Sequence, residues 1–157
     1  MREDKAIKYF KITKTMADLL SKDPSRKVGC MLLKPETLQI LSMGYNGFPR
    51  GVDETIPERW NRPEKYNFCV HAEINSICNA ARSGTSLENS IAIITLYPCC
   101  DCSKALIQSG IKCIVTVEPD FNDEIWGEKF KISKLMLDEA NVEIILLSDE
   151  QLNLNLQ

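Results

Sequence analysis

The hydrophobic pattern of this chain predicts an α/β fold: a three-layer α/β/α sandwich around a mixed five-stranded sheet. Three observations carry it. Two β-like runs, Val28 to Leu33 and Leu38 to Tyr45, flank Lys34-Pro35-Glu36-Thr37 and read as an antiparallel hairpin. Near-continuous apolar runs then follow at 91–96, 111–117 and 142–147, as expected of strands covered on both faces. Helical patterns alternate with those runs, which calls for parallel strands joined by crossover helices.

Each element has its own signature. Residues 3–21 place Ile7, Phe10, Ile12, Met16, Leu19 and Leu20 at mostly helical spacing, which predicts an amphipathic helix covering one face of the sheet. Ser21 to Lys27 is a polar connector broken by Pro24. After the hairpin, Gly44-Tyr45-Asn46-Gly47-Phe48-Pro49-Arg50-Gly51 is punctuated by turn formers. Residues 52–68 are charged and interrupted by Pro57 and Pro63, with Trp60 and Tyr66 among them. A loop this long serves as a lid, a ligand loop or a subunit contact. Val70, Ile74, Ile77, Cys78 and Ala81 supply the buried stripe of a helix that opens at His71 and ends at Ser83-Gly84. A second helix over 99–109 closes at Gly110, and a third over 123–140 turns Ile132, Leu135 and Met136 inward. The polar tail from Ser148 receives no element, and the 157 residues read as one domain without repeats.

Composition narrows the function. A net charge of −3 and a pI near 5.3 offer no basic field for a polynucleotide. No apolar run approaches a membrane span, and Met1-Arg2-Glu3-Asp4-Lys5 is too charged for a signal peptide. Seven cysteines, an odd number clustered around a ligand pattern, read as reduced thiols plus a metal in a cytoplasmic compartment.

The chemistry lies between His71-Ala72-Glu73 and Pro98-Cys99-Cys100-Asp101-Cys102. One imidazole and two thiols give zinc three ligands and leave a fourth position for water, with a carboxylate alongside. Cys99 and Cys102, three residues apart, share one helix face if a helix starts near Pro98. His71 and Glu73 are two apart and reach one metal only if it lies off the end of their helix. Two helix N-termini are therefore expected to converge on the metal, where their dipoles favour thiolate and hydroxide. Cys100 is assigned no role. The rival readings are a closed structural zinc with Cys69 as fourth ligand, which leaves Glu73 idle, and ordinary buried thiols beside a core histidine. His71 is the only histidine in the chain.

Taken together, Gly44-Tyr45-Asn46-Gly47-Phe48-Pro49, His71-Ala72-Glu73 and Pro98-Cys99-Cys100-Asp101-Cys102 resemble the deoxycytidylate (dCMP) deaminase branch of the cytidine deaminase superfamily, in its phage or bacterial form. H-x-E…P-C-x-x-C is the signature of zinc nucleobase deaminases. The resemblance is strongest from Asp23 to Val117. It implies zinc on His71, Cys99 and Cys102, Glu73 as proton shuttle, and hydrolysis of dCMP to dUMP and ammonia by a zinc-activated hydroxide. It further implies that Asn46 bonds the deoxyribose and Arg26 the 5′-phosphate. Phe121 falls where relatives carry a tyrosine beside the substrate, and can only pack or stack there.

Regulation also follows from the resemblance: dCTP as activator and dTTP as inhibitor, with Mg2+ on the triphosphate, near Gly44, Asn46 and Asp53, in a homohexamer. A second zinc is not expected, because the extra histidines of some phage relatives are missing. Each carry-over has a plainer alternative: a turn-forming Asn46, a solvated Arg26 beside Lys27, a core Phe121. Competing functions are deamination of cytidine, deoxycytidine, guanine-type bases or tRNA adenosine, and a non-catalytic zinc module that senses nucleotides.

Overall fold

In the computed structural model, which describes residues 1–153, five strands form one mixed sheet in the order β2-β1-β3-β4-β5. β1 (Gly29–Leu33) runs antiparallel to both β2 (Ile40–Tyr45) and β3 (Ile91–Ile94). β4 (Cys113–Val117) and β5 (Glu143–Leu147) continue parallel to β3. The predicted hairpin and the parallel second half are both present.

Strand alternation sorts the core into two layers. Cys30, Leu32, Ala92, Ile94 and Ile114 face α3 (Ala72–Ser83), α4 (Cys100–Gln108) and α5 (Gly127–Glu139). Met31, Leu33, Ile91, Ile93 and Val115 face α1 (Glu3–Leu20) on the other side. Helices thus cover both faces, as predicted. Two short elements break the long loop, a 3-10 turn at Pro57–Trp60 and α2 (Lys65–Phe68). The tail left without an element forms α6 (Asp149–Asn153), and its remainder lies outside the described residues.

The buried faces of three helices differ from the predicted stripes. α1 buries Ala6, Ile7, Phe10, Thr13 and Ala17, while Ile12, Leu19 and Leu20 are exposed, Leu19 at 77%. α3 buries Ala72, Glu73, Ser76 and Ala80, with Cys78 and Ala81 outside. α5 buries Phe130, Ser133 and Leu137, whereas Ile132 and Leu135 face solvent. Close approach explains the choice. A Cβ at Gly29 would sit 2.7 Å from the Thr13 carbonyl oxygen, and one at Gly44 would sit 2.4 Å from the Ser76 nitrogen. Small residues let α1 and α3 lie directly on strands at these glycines, and Ser103 and Ser133 share a buried 2.6 Å hydrogen bond where α4 meets α5.

Candidate active site

His71 is the N-cap of α3 and Cys99 the N-cap of α4, both in extended backbone. No side chain caps either helix, so the positive ends of two dipoles face the same point, as the spacing predicts. Cys102 enters from the first turn of α4. The imidazole Nδ1 lies 3.6 Å from the Cys99 Sγ and 3.3 Å from the Cys102 Sγ. Zinc–nitrogen and zinc–sulfur bonds at tetrahedral angles put such donor atoms roughly 3.6 Å apart, so the three donors fit the ion. Among the described residues this is the one group of histidine, cysteine and carboxylate donors close enough to hold a metal, and Cys69 is not part of it. The Cys69 thiol instead meets the Val70 carbonyl at 3.8 Å.

The two thiols share a proton unequally. A hydrogen bond from Cys102 pushes the Cys99 thiol down to about 4 against its burial, and His71 adds to the effect. The same bond, followed by burial and the Glu73 charge, drives the Cys102 thiol far up. Contact with Cys99 raises the His71 imidazole above its ordinary value, with burial opposing. Glu73 is 4% exposed, and burial lifts its carboxyl above the usual carboxylate range while the His71 charge pulls it back. A carboxyl so placed takes up and releases protons closer to neutral pH than an exposed one.

His71, Glu73 and Cys99 line a cavity open to solvent, and Cys102 lies buried behind them. Leu96, Tyr97, Phe130, Tyr66 and Trp126 form its apolar and aromatic walls, and Arg26, Arg62 and Lys65 its cationic side. The Trp126 ring stands edge-on to His71 with centroids 5.8 Å apart and to Tyr66 at 6.2 Å. Hydrogen bonds from the Trp126 and Ile125 backbone hold Asp123 below the usual carboxylate range, and the charges of Arg26 and Arg62 add to this. Both Arg26 and Arg62 line the same cavity.

The other predicted residues fall in different places. Arg26 is exposed and lines the cavity. Asn46 lines it too, yet its amide is fully engaged within the protein. Its Oδ1 accepts from Ser21 Oγ (2.8 Å) and the Val28 amide (2.9 Å); its Nδ2 donates to Asp23 Oδ2 (2.7 Å) and the Arg26 carbonyl (2.9 Å). Two lone pairs and two N–H groups are all an asparagine has, so no position is left for a sugar hydroxyl in this arrangement. Phe121 packs half-buried against the core and does not line the cavity; Trp126, five residues on, does.

A second, open cavity lies beyond Asn46, lined by Gly44, Gly47, Phe48, Arg50, Trp60 and Asn79 among others. Gly44 and Asn46 border it. Asp53 does not; its carboxylate accepts from the Thr55 amide and hydroxyl. Sequence reasoning missed Lys65, Arg62, Tyr66 and Trp126. The first three sit in the long loop flagged only as a ligand loop or lid, and nothing in their spacing marks them singly.

A three-donor zinc centre with a buried carboxylate, set at two helix N-termini over a mixed sheet, defines a hydrolase of the nucleobase-deaminating type. Residues 3–118 match the family model for the cytidine and deoxycytidylate deaminase zinc-binding region, and the chain belongs to that family. A Caenorhabditis elegans protein named as a probable deoxycytidylate deaminase is 40% identical over 139 residues, covering 86% of this chain and 66% of that protein. The deoxycytidylate deaminase of phage T4 is 31% identical, covering 85% of each chain. In structure, the chain is similar to the dCMP deaminase of cyanophage S-TIM5 in complex with dCMP and dUMP. The TM-score is 0.74 and the identity 26%, covering 94% of this chain and 99% of that one.

Proposed function

We propose that the protein hydrolyses dCMP to dUMP and ammonia. The reading rests on one juxtaposition: His71 and Cys99 of the metal cluster and buried Glu73 share a cavity with Arg26 and Arg62, cations suited to a 5′-phosphate. The relatives named for this activity support it. Zinc held by His71, Cys99 and Cys102 supplies a water acidified to near neutrality.

Glu73 does the proton work. Its buried carboxylate would hold the proton given up by the attacking water and deliver it to N3 of the cytosine ring, which makes C4 electrophilic. Hydroxide adds at C4 to give a tetrahedral intermediate. Glu73 would then move the proton of the new C4 hydroxyl to the amino group, which departs as ammonia as the C4–N bond breaks and the 4-carbonyl of dUMP forms. Trp126 and Tyr66 wall the base and limit its tilt. The rim cations set the nucleotide by its phosphate.

Ammonia release from dCMP, CMP, cytidine and dCTP tests the reading. Turnover is expected with dCMP well above the other three. Equal turnover of cytidine would favour a nucleoside deaminase, and none with any of the four would leave a zinc module that only binds nucleotides.

The finer picture is proposed with it. Residues 1–157 act as one deaminase domain in the cytoplasm, supplying dUMP for thymidylate synthesis. The second cavity receives a nucleoside triphosphate, dCTP to activate or dTTP to inhibit, accompanied by Mg2+, within a homohexamer. Asn46 supports this regulation because it borders both cavities, so a ligand in one bears on the wall of the other.

A further inference from the structure

Lys65 is the first residue of α2 and is nearly buried, although nothing in its neighbourhood of the sequence marks it out. Its ammonium meets the wholly buried Asp23 carboxylate at 2.6 Å and the Ser25 hydroxyl at 2.6 Å. Asp23 is the centre of this arrangement. Its Oδ2 accepts from Lys65 and from Asn46, and its Oδ1 from the Ser25 amide and hydroxyl (both 2.9 Å) and the Arg26 amide (3.2 Å). The turn that carries Arg26 is thus wound around one carboxylate, and that carboxylate is tied across 42 positions of chain to the segment that carries Arg62. A buried ion pair of this kind is poor evidence for stability alone, because desolvation offsets its attraction; fixing a geometry is its better-attested use.

We propose that Lys65, paired with Asp23, is a positioning residue for 5′-phosphate recognition: a charge clamp that holds the Arg26 turn and the Arg62 segment on one side of the cavity. The proposal deepens the dCMP reading and rests on it. The clamp acts on the nucleotide and not on the base, so its effect falls on selectivity between dCMP and deoxycytidine.

The test compares kcat and KM for dCMP and for deoxycytidine in the zinc-loaded wild type, Lys65→Met, Lys65→Arg and the double variant Asp23→Asn/Lys65→Met. Removing Lys65 alone leaves a buried carboxylate uncompensated and endangers the fold; the double variant removes both charges and keeps the question answerable. Competitive inhibition of dCMP turnover by dUMP and by deoxyuridine gives the phosphate preference from two ligands that are not themselves turned over.

Both methionine variants are expected to lose about tenfold or more in dCMP preference, through KM, as for one lost charge-assisted contact. Lys65→Arg keeps the charge and restores most of the preference. A fall in dCMP and deoxycytidine turnover by the same factor, or an unchanged dCMP preference in the double variant, would overturn the clamp while leaving the dCMP reading intact. A wild type without preference for dCMP would sink the parent reading instead, and the clamp with it.

Discussion

Two cavities share the Asn46 wall, and only one of them can do chemistry. The catalytic cavity gathers an imidazole, two thiols and a buried carboxylate at two helix N-termini. The second is built from the same glycine-punctuated loop, yet it offers Asn75, Asn79, Arg50 and the ion pair of Lys22 with Glu54. Arg50 there bonds Asn79 at 2.6 Å. Each has an aromatic fixture from the same loop, Tyr66 in the first and Trp60, stacked on Phe48 at 4.1 Å, in the second. Both cavities have aromatic walls, the second being the more polar, and reactivity follows from where helix ends converge. One cavity is equipped to change a ligand, the other only to hold one.

The sharpest break in that contrast comes from the ligands. Cys99→Ala and Cys102→Ala are expected to abolish stoichiometric zinc and with it all turnover; elemental analysis that finds a full complement of zinc in either would remove the ligand assignment. Next, Glu73→Gln keeps zinc and fold but lowers kcat by roughly 10²–10⁴; a near-normal rate would mean that the proton passes elsewhere. Arg26→Ala is expected to cost about tenfold in kcat/KM for dCMP and less for deoxycytidine. Equal losses on both substrates would make Arg26 a solvated surface charge.

Two smaller effects sharpen the contrast. With the Cys102 thiol pushed up and the His71 imidazole raised, zinc uptake near pH 7 is expected to release protons, and zinc affinity to fall as pH falls. Calorimetry in buffers of different ionisation enthalpy reads that release, and affinity that rises toward acid pH would reverse the assignment. Trp60→Ala alters the second cavity alone: basal turnover of dCMP changes by less than about twofold, and any response to dCTP or dTTP is lost. A large basal loss would show that the two cavities are not separable in this way.

Legibility in the sequence followed the kind of signal. The sheet was readable because Ile91 to Ile94 and Cys113 to Val117 are apolar on both faces, and the metal cluster because its donors carry a fixed spacing from helix ends. Helix faces were not, since burial there depends on close approach: Thr13, Ser76 and Ser133 are buried at contacts too tight for larger side chains, while Leu135 is 58% exposed. Asn46 misleads for a different reason. Its loop position fits a ligand contact, but its four hydrogen-bonding positions are spent on Ser21, Asp23, Arg26 and Val28, none of which its own motif contains. Lys65 and Trp126 reach the cavity through tertiary folding of irregular segments, which no periodicity announces.

The open fourth position carries the whole hydrolytic account, and X-ray absorption at the zinc edge of the loaded protein without substrate addresses it directly. Two sulfur neighbours, one nitrogen and one light oxygen neighbour are predicted, with the spectrum unchanged in Cys69→Ser. Three sulfurs and one nitrogen, reverting on loss of Cys69, would make the zinc structural and contradict the account.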